Sequence, residues 1–236
     1  MIVEKSAESV RRMFASIAHR YDFLNRLLSL SIDRRWRRFT RKRLSRLLPP
    51  SPYILDLCTG TGDLALELSG LGRVAACDFC RPMLTRAAEK NRGAARPVFF
   101  VEGDALRLPF SDDAFDAVSI AFGLRNFEDY RAGLAETLRV LKPSGTLAVL
   151  EFSLPTIPVF RQAYRFYFTR VLPRIGAWLS GAEGPYSYLP QSVQEFPEPP
   201  ELVREMTRVG YAEVRRSSLT GGVATLYLAG MQGAMN

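Results

Sequence analysis

Apolar residues in the first fifty positions recur at the spacing of helices. Between residues 10 and 18 they follow the i, i+3, i+4, i+7 order of an amphipathic helix, at Val10, Met13, Phe14, Ile17 and Ala18. A second amphipathic segment begins at Leu24 and continues into a cluster of arginines. Pro49, Pro50 and Pro52 end it, because proline interrupts helices. The pattern predicts a helical cap over residues 1–50.

After Pro52 the pattern changes to short apolar runs that alternate with helical stretches and turn residues. This alternation is typical of βαβ units around a parallel sheet. Four helices are predicted between the runs, centred on Leu64–Leu68, Met83–Lys90, Arg131–Val140 and Glu201–Val209. The predicted strands are Tyr53–Cys58, Val74–Asp78, Val98–Glu102, Phe115–Phe122, Thr146–Ser153, Ala212–Leu219 and Val223–Met231.

The last two predicted strands are joined directly through Thr220, Gly221 and Gly222. A glycine pair between two strands indicates a hairpin, so the seventh strand should run antiparallel to its neighbour. A mostly parallel seven-stranded sheet with an antiparallel last strand is the plan of the Rossmann-like class I methyltransferases. We therefore expect this α/β fold.

Residues 155–200 interrupt the alternation with aromatic side chains and arginines between prolines, and we interpret them as an inserted helical lid. The chain is then a single domain of residues 1–236. It consists of the cap, a cofactor-binding core over residues 53–154, the lid, and a C-terminal helix and hairpin over residues 201–236.

The composition narrows the class of protein. Of the 236 residues, 47% are hydrophobic and 24% are charged, as in ordinary soluble domains. The chain has neither a secretory signal nor eighteen consecutive apolar residues, so we expect it to be cytoplasmic. The formal net charge is +8 and the excess is concentrated between Arg34 and Arg46, which indicates an anionic partner.

The cysteines, Cys58, Cys77 and Cys80, are too few for a disulfide framework. Cys77 and Cys80 form a C-x-x-C pair, but no second pair and only one histidine, His19, could complete a metal site. We favour buried cysteines over a metal or redox site and expect no metal.

The stretch "ILDLCTGTGDLAL", residues 54–66, consists of an apolar strand, a glycine-rich turn and the start of a helix. Gly60 and Gly62 allow a ligand to approach the backbone, but the pattern also matches nucleotide-binding folds in general. Asp63 opens the helix, where a dinucleotide would place its pyrophosphate. A carboxylate there favours an ammonium group, which S-adenosylmethionine carries.

Two further acids lie at the ends of the next predicted strands: Asp78 ends the second strand and Asp104 follows the third. Asp78 can accept both hydroxyls of a ribose, and Asp104 with Ala105 lies where an adenine would be met. Either aspartate alone could be an ordinary turn residue. Their register with the glycine loop favours S-adenosyl-L-methionine as the cofactor, and the predicted contacts are Asp56, Gly60, Thr61, Gly62, Asp63, Asp78, Asp104 and Ala105.

Longer motifs resemble one family over nearly the whole chain. They are "MFASIAHRYDFLNRLLSLSIDRRWRR", "LDLCTGTGDLAL", "GDALRLPFSDDAFDAVSIAFGLRNF", "RVLKPSGTLAVLEFS" and "LTGGVATLYLAG". The resemblance is to the ubiquinone/menaquinone biosynthesis C-methyltransferases, and it implies methylation of a ring carbon of demethylmenaquinol or of the ubiquinone precursor 2-polyprenyl-6-methoxy-1,4-benzoquinol. It also implies cofactor contacts at Thr61, Asp78, Asp104 and Ala105. The chain departs from the family pattern at Ala121, often a serine, and from the general methyltransferase motif at Cys58, which replaces a glycine.

Such a reaction requires a phenolate, because carbon is a poor nucleophile and a phenol has a pKa of about 10. A fixed cation within ~4–6 Å would lower that pKa by roughly 1–3 units. Arg125, after the fourth predicted strand, is our candidate for this role, and Asn126 could hydrogen-bond a quinol oxygen. Tyr21 is either a catalytic partner or a packing residue. The proton acceptor is left open, and we expect His19 to lie at the surface.

A polyprenylated quinol would lie in a membrane. The segment Arg34–Arg46, with Trp36 and Phe39, has the character of an interfacial helix, which predicts peripheral contact with an anionic membrane, and the lid could shelter the ring. Alternatively, the charges form a solvated face and the aromatics form core. In an RNA methyltransferase the same arginines would contact phosphates, although we expect no nucleic acid. Two further alternatives are a methyltransferase of another small molecule and a non-enzymatic binding module. The choice of quinone, the tail length and the oligomeric state are left open.

Overall fold

A computed structural model describes residues 6–171, 174 and 184–231. Seven strands form one sheet in the order β3-β2-β1-β4-β5-β7-β6. Strands β1 to β5 are parallel, and β7 runs antiparallel to both β5 and β6. The predicted architecture is confirmed. The strands are β1 Tyr53–Leu57, β2 Arg73–Asp78, β3 Phe99–Glu102, β4 Phe115–Ala121, β5 Leu141–Phe152, β6 Glu213–Leu219 and β7 Ala224–Gly230.

Helices cover both faces of the sheet. Helices α6 and α9 pack on one face, and α3 and α4 pack on the other, so the central strands are buried on both sides and are mostly apolar. The helices are α1 Ala7–Ile17, α2 Tyr21–Leu28, α3 Ile32–Leu44, α4 Asp63–Leu68, α5 Arg81–Asn91, α6 Tyr130–Val140, α7 Pro158–Phe166, α8 Gly184–Glu195 and α9 Pro199–Val209.

The boundaries of several elements differ from those predicted. The cap contains three helices instead of two segments, because Leu30 and Ser31 adopt positive φ angles of 50° and 60° and separate α2 from α3. Strand β5 begins at Leu141 instead of Thr146, with an irregularity in its pairing to β4. Within the predicted lid, α7 continues into a π-helical turn over Tyr167–Val171. Residues 172, 173 and 175–183, with the predicted lid residue Trp178, lie outside the described residues.

The sheet reverses its strand order between β1 and β4, which is where open α/β sheets bind their ligands. Both strands end one residue earlier than predicted at this point. Cys58 and Phe122, the residues that follow them, have φ angles of 56° and 59°, a conformation that non-glycine residues rarely adopt. Gly123 packs against Cys58 so closely that a Cβ at Gly123 would lie 2.5 Å from the Cβ of Cys58. The chain therefore leaves β4 through a glycine because a larger residue would collide with the loop after β1.

Candidate active site

A cavity lies over the carboxyl ends of β1, β2 and β4 and is covered by the cap helix α1. It holds about 840 Å³ free of protein atoms, including space open to solvent. Six of the predicted site residues line it: Tyr21, Gly60, Asp78, Asp104, Ala105 and Asn126. Its apolar lining includes Phe14, Phe79, Met83 and Leu106. We call it the cofactor cavity.

Asp78 is held in place by the glycine loop. The backbone N–H of Gly60 donates to Asp78 Oδ2 at 2.8 Å, and that of Cys80 donates to Oδ1 at 2.9 Å. Burial raises the pKa of the Asp78 carboxyl to about 6, although these hydrogen bonds oppose the shift. Gly60 has a φ of +55°, and a Cβ built on it would meet no atom within 4 Å. A bare backbone beside open space and a buried carboxylate that can accept a pair of hydroxyls fit the ribose and amino-acid part of S-adenosylmethionine.

A second, larger cavity lies between the cap helices and the lid. It holds about 1410 Å³, again including space open to solvent. Ten of the twenty-two residues that line it are aromatic, and Asp33, Arg37 and Arg125 contribute charges to it. We call it the acceptor cavity. Three residues, Phe14, Tyr21 and Phe122, line both this cavity and the cofactor cavity, so the two meet at these side chains.

Arg125 forms a buried ion pair with Glu151 at the carboxyl end of β5. Arg125 Nη1 lies 2.7 Å from Glu151 Oε1 and also donates to the backbone oxygen of Phe122. Glu151 is 1% exposed. Among the described residues Arg125 Nε has no hydrogen-bond partner. The guanidinium is therefore fixed by Glu151 and retains an Nε–H for which no described residue is the acceptor.

Asn126 and Tyr21 are also held in place by neighbours. The hydroxyl of Tyr188, on lid helix α8, donates to Asn126 Oδ1 at 3.0 Å. Burial raises the pKa of Tyr21, with smaller opposing effects from a hydrogen bond to Asn25 and from Arg125. Tyr21 is thus a protonated donor at neutral pH. The three catalytic residues proposed from the sequence all line one of the two adjoining cavities. Asn126 lines the cofactor cavity, Arg125 lines the acceptor cavity, and Tyr21 lines both.

Comparison with known proteins identifies the family. The model of the ubiE/COQ5 methyltransferase family matches residues 1–231. The chain belongs to this family. It is a methyltransferase that uses S-adenosyl-L-methionine.

Relatives in the family are similar over almost their whole length. The demethylmenaquinone methyltransferase of Thermus thermophilus is 50% identical, over 92% of this chain and 98% of the relative. That of Deinococcus radiodurans is 47% identical, over 95% and 93%. The ubiquinone/menaquinone biosynthesis C-methyltransferase UbiE of Citrifermentans bemidjiense is 46% identical, over 96% and 97%.

Solved structures share the fold at low sequence identity. An S-adenosylmethionine-dependent methyltransferase from Thermotoga maritima has a TM-score of 0.64 at 18% identity, covering 94% of this chain and 99% of its own. One from Aquifex aeolicus has a TM-score of 0.59 at 21% identity, covering 80% and 88%. The [4+2]-cyclase SpnF has a TM-score of 0.61 at 18% identity, covering 83% and 81%. Because a cyclase has the same fold, the fold by itself does not define the reaction.

Some predicted cofactor residues of the methyltransferase do not line the cofactor cavity. Asp63 is the clearest correction: its carboxylate lies 2.5 Å from Lys90 and 3.5 Å from Arg37, on the far side of the glycine loop. Burial alone would raise its pKa, but Arg37 and Lys90 lower it overall. Its charge is already paired, which argues against a contact with the ammonium group of the cofactor. Thr61 is buried and hydrogen-bonded to Asp22 and Lys90.

Asp56 and Gly62 stabilise the glycine loop but do not line the cofactor cavity. Asp56 accepts hydrogen bonds from Thr59 at 2.6 Å and from Ser119 at 2.6 Å, and burial raises its pKa to about 6. Gly62 has a φ of 80°, and a Cβ there would lie 3.1 Å from the Cβ of Ala87. Both residues shape the loop from outside the cavity.

The basic segment of the methyltransferase is arranged differently from the predicted interfacial helix. Trp36 is only 5% exposed, its indole N–H donates to Thr220 Oγ1, and its ring lines the acceptor cavity. Phe39 is partly buried against the core. Arg37 is buried against Asp33. The aromatic residues of α3 therefore face inward, and its exposed face is purely charged.

Exposed apolar side chains are found instead at the mouth of the acceptor cavity. Phe23 and Leu27 on helix α2 are exposed, and so is Leu30, which follows this helix. Around helix α7 the exposed apolar residues are Ile157, Val159, Phe160 and Phe166. Leu30 and Phe160 also line the acceptor cavity. We call these seven residues the apolar rim. No helix in the described part of the chain has the length and apolarity needed to cross a bilayer.

The remaining predicted residues lie away from both cavities, except for Cys58. His19 is exposed in the turn after α1. Cys77 and Cys80 are buried, and burial raises the pKa of the Cys77 thiol to about 12. Glu151 was not predicted, although an acid inside the apolar run of β5 is an unusual signal that could have indicated it.

Proposed function

We propose that this chain methylates a ring carbon of a polyprenylated quinol, either demethylmenaquinol or the related ubiquinone precursor. The observation that carries the proposal is the meeting of the two cavities at Phe14, Tyr21 and Phe122. One cavity has acids suited to the hydroxyls of the cofactor, and the other has an aromatic lining suited to a ring and its isoprenoid chain. The names of the relatives support the same substrate class.

The bound cofactor supplies a methyl group on a positively charged sulfur. The protein first orients the two reactants. Asp78 and the open backbone of Gly60 hold S-adenosylmethionine, and the aromatic residues of the acceptor cavity hold the quinol. Holding the reacting atoms at ~3–3.5 Å removes much of the entropic barrier. Two cap residues, Phe14 and Tyr21, line the junction between the two cavities.

Arg125 stabilises the phenolate form of the quinol through hydrogen bonds from the donors that Glu151 leaves free. Because Glu151 lies 2.7 Å from Arg125, the pair has little net charge, and the effect on the phenol comes from directed hydrogen bonds more than from a bare cation. Arginine stays protonated in proteins and is not the base. Tyr21, whose pKa is raised, acts as a second donor toward the ring oxygens.

The apolar rim supports contact with a membrane surface, where a polyprenylated quinol is found. Helix α7 has no buried residue, and residues 155–171 contain three arginines and no acidic residue. Exposed apolar groups beside arginines are typical of interfacial helices. Two residues of the rim, Leu30 and Phe160, also line the acceptor cavity, which gives a substrate a route into it from the lipid.

The test is methyl transfer from methyl-labelled S-adenosylmethionine to three acceptors offered separately: demethylmenaquinol, the ubiquinone precursor and bulk tRNA. We expect label in at least one quinol and none in tRNA. The Arg125→Ala protein, with its cofactor affinity measured by calorimetry, controls for background transfer. Label in tRNA with none in either quinol would refute the proposal.

A further inference from the structure

A third cavity, unrelated to the reaction, lies on the outer side of the glycine loop. It is bounded by α2, α3, α4 and the segment after α5, and it holds about 1290 Å³, including space open to solvent. Five arginines line it, against two acids, Asp63 and Glu67. The arginines are Arg26, Arg34, Arg37, Arg38 and Arg96. We call it the arginine cavity.

The two acids do not neutralise the arginine cavity. Asp63 is shared between Lys90 at 2.5 Å and Arg37 at 3.5 Å, and Glu67 lies 3.7 Å from Arg38. Arg34 makes no ion pair with any residue that the structure describes. Arg37 is also paired with Asp33, which does not line the cavity. The lining arginines that make no ion pair with a described residue are therefore three: Arg26, Arg34 and Arg96.

Hydrogen-bond donors at this site are also left without acceptors. Arg26 Nε and Arg41 Nε are buried and have no partner in the described part of the chain. Arg41 packs against Gly70, where a Cβ would lie 3.0 Å from its Nη2, and Arg96 donates to the backbone oxygen of Gly70 at 3.0 Å. Buried donors without partners are rare in folded proteins, and a bound anion is one way to satisfy them.

We propose that the arginine cavity binds a phosphate group. Guanidinium groups match phosphate oxygens in pairs and bind them more strongly than neutral donors do. The phosphate could belong to an anionic lipid headgroup or to a soluble phosphate. Helix α2 connects the two surfaces, because it carries Arg26 into the cavity and exposes Phe23 and Leu27 on the apolar rim. A headgroup in the cavity would thus lie beside the side chains that contact lipid.

The first experiment measures inorganic phosphate binding by calorimetry at low ionic strength, with chloride as the reference anion. Arg34→Ala and Arg26→Ala should each weaken binding about tenfold. Arg35→Ala is the matched control, because Arg35 is the exposed neighbour of Arg34 on α3 and does not line the cavity. It should change the affinity less than twofold. Thermal unfolding in chloride verifies that all three variants are folded.

The second experiment identifies the source of the phosphate by flotation with phosphatidylcholine vesicles, with and without phosphatidylglycerol. If Arg34→Ala lowers binding to the anionic vesicles more than Arg35→Ala does, the ligand is a headgroup. If only phosphate binding distinguishes the two variants, the ligand is soluble. Wild-type protein without saturable phosphate binding, or equal losses in Arg34→Ala and Arg35→Ala, would overturn the site and leave only general attraction between charges.

Discussion

Glu151 at the end of β5 holds the guanidinium of Arg125 across a gap of 2.7 Å, and both side chains are buried. The pair joins the two sides of the site, since Arg125 follows β4 and lines the acceptor cavity. Desolvated ion pairs contribute little net stability, so this pair is better explained by the orientation that Glu151 gives to the guanidinium. Here a donor remains unsatisfied on the arginine, which is what a substrate oxygen requires.

Arg125→Ala should retain affinity for S-adenosylmethionine and lose most of its turnover, because the arginine lines the acceptor cavity only. Glu151→Gln should lower turnover at least tenfold by releasing the guanidinium. Calorimetry and single-turnover rates test both. The double variant should be no slower than Arg125→Ala alone, since the two residues act as a unit. Additive losses would show that Glu151 acts independently of Arg125.

Affinity for the cofactor should decrease as the pH is lowered, because Asp78 must be ionised to accept two hydroxyls. Its pKa of about 6 in the free protein is raised by burial, so the acceptor form predominates above pH 7 and is lost as the pH falls through 6. The affinity should then weaken about tenfold per pH unit. Asp78→Asn should bind more weakly and show a flat profile between pH 5 and 7. A persistent slope in that variant would assign the titration to another acid, such as Asp56, which also has a pKa of about 6.

Tyr21→Phe should lower turnover several-fold without moving the pH profile below pH 10. The pKa of Tyr21 is raised above its usual value of 10.0, so the phenol stays protonated and donates throughout that range. Single-turnover rates between pH 6 and 10 make the comparison. If the wild-type profile has a limb near neutral pH that the variant lacks, Tyr21 acts as a base and this assignment is wrong.

Vesicle binding should depend on the apolar rim. Val159→Ser and Phe166→Ser should each weaken flotation with vesicles, because these side chains are 79% and 64% exposed and have apolar area to bury in lipid. Phe99→Ser is the matched control: Phe99 is 71% exposed but lies on β3, outside the rim. Equal effects from all three substitutions would argue against a membrane-binding face at the rim.

Gly123→Ala should destabilise the fold by about 1–3 kcal/mol, because the added Cβ would lie 2.5 Å from the Cβ of Cys58. Cys58→Gly removes that obstacle and also suits the positive φ at position 58. Gly123→Ala should therefore cost less in the Cys58→Gly background, as measured by urea unfolding. The same cost in both backgrounds would exclude this contact as the reason for the glycine.

The alternation of strands and helices, the hairpin at Gly221 and Gly222, and the acids at the ends of the parallel strands can all be read from the amino-acid sequence alone. These features are local: they depend on periodicity, on turn residues and on the rule that ligands bind at the carboxyl ends of parallel strands. The positions of Asp78 at the end of β2 and of Arg125 after β4 were predictable in this way, because the residues of each strand define where it ends.

The side chains with which those residues form ion pairs and contacts depend on the tertiary structure. Arg125 forms an ion pair with Glu151, and Asp63 forms ion pairs with Lys90 and Arg37. Trp36 lines the acceptor cavity instead of facing a lipid surface. The partners lie on separate elements, and their distances depend on how the helices pack against the sheet. Periodicity predicts that a helix has an apolar face, but the surface that covers this face depends on the packing of the whole chain.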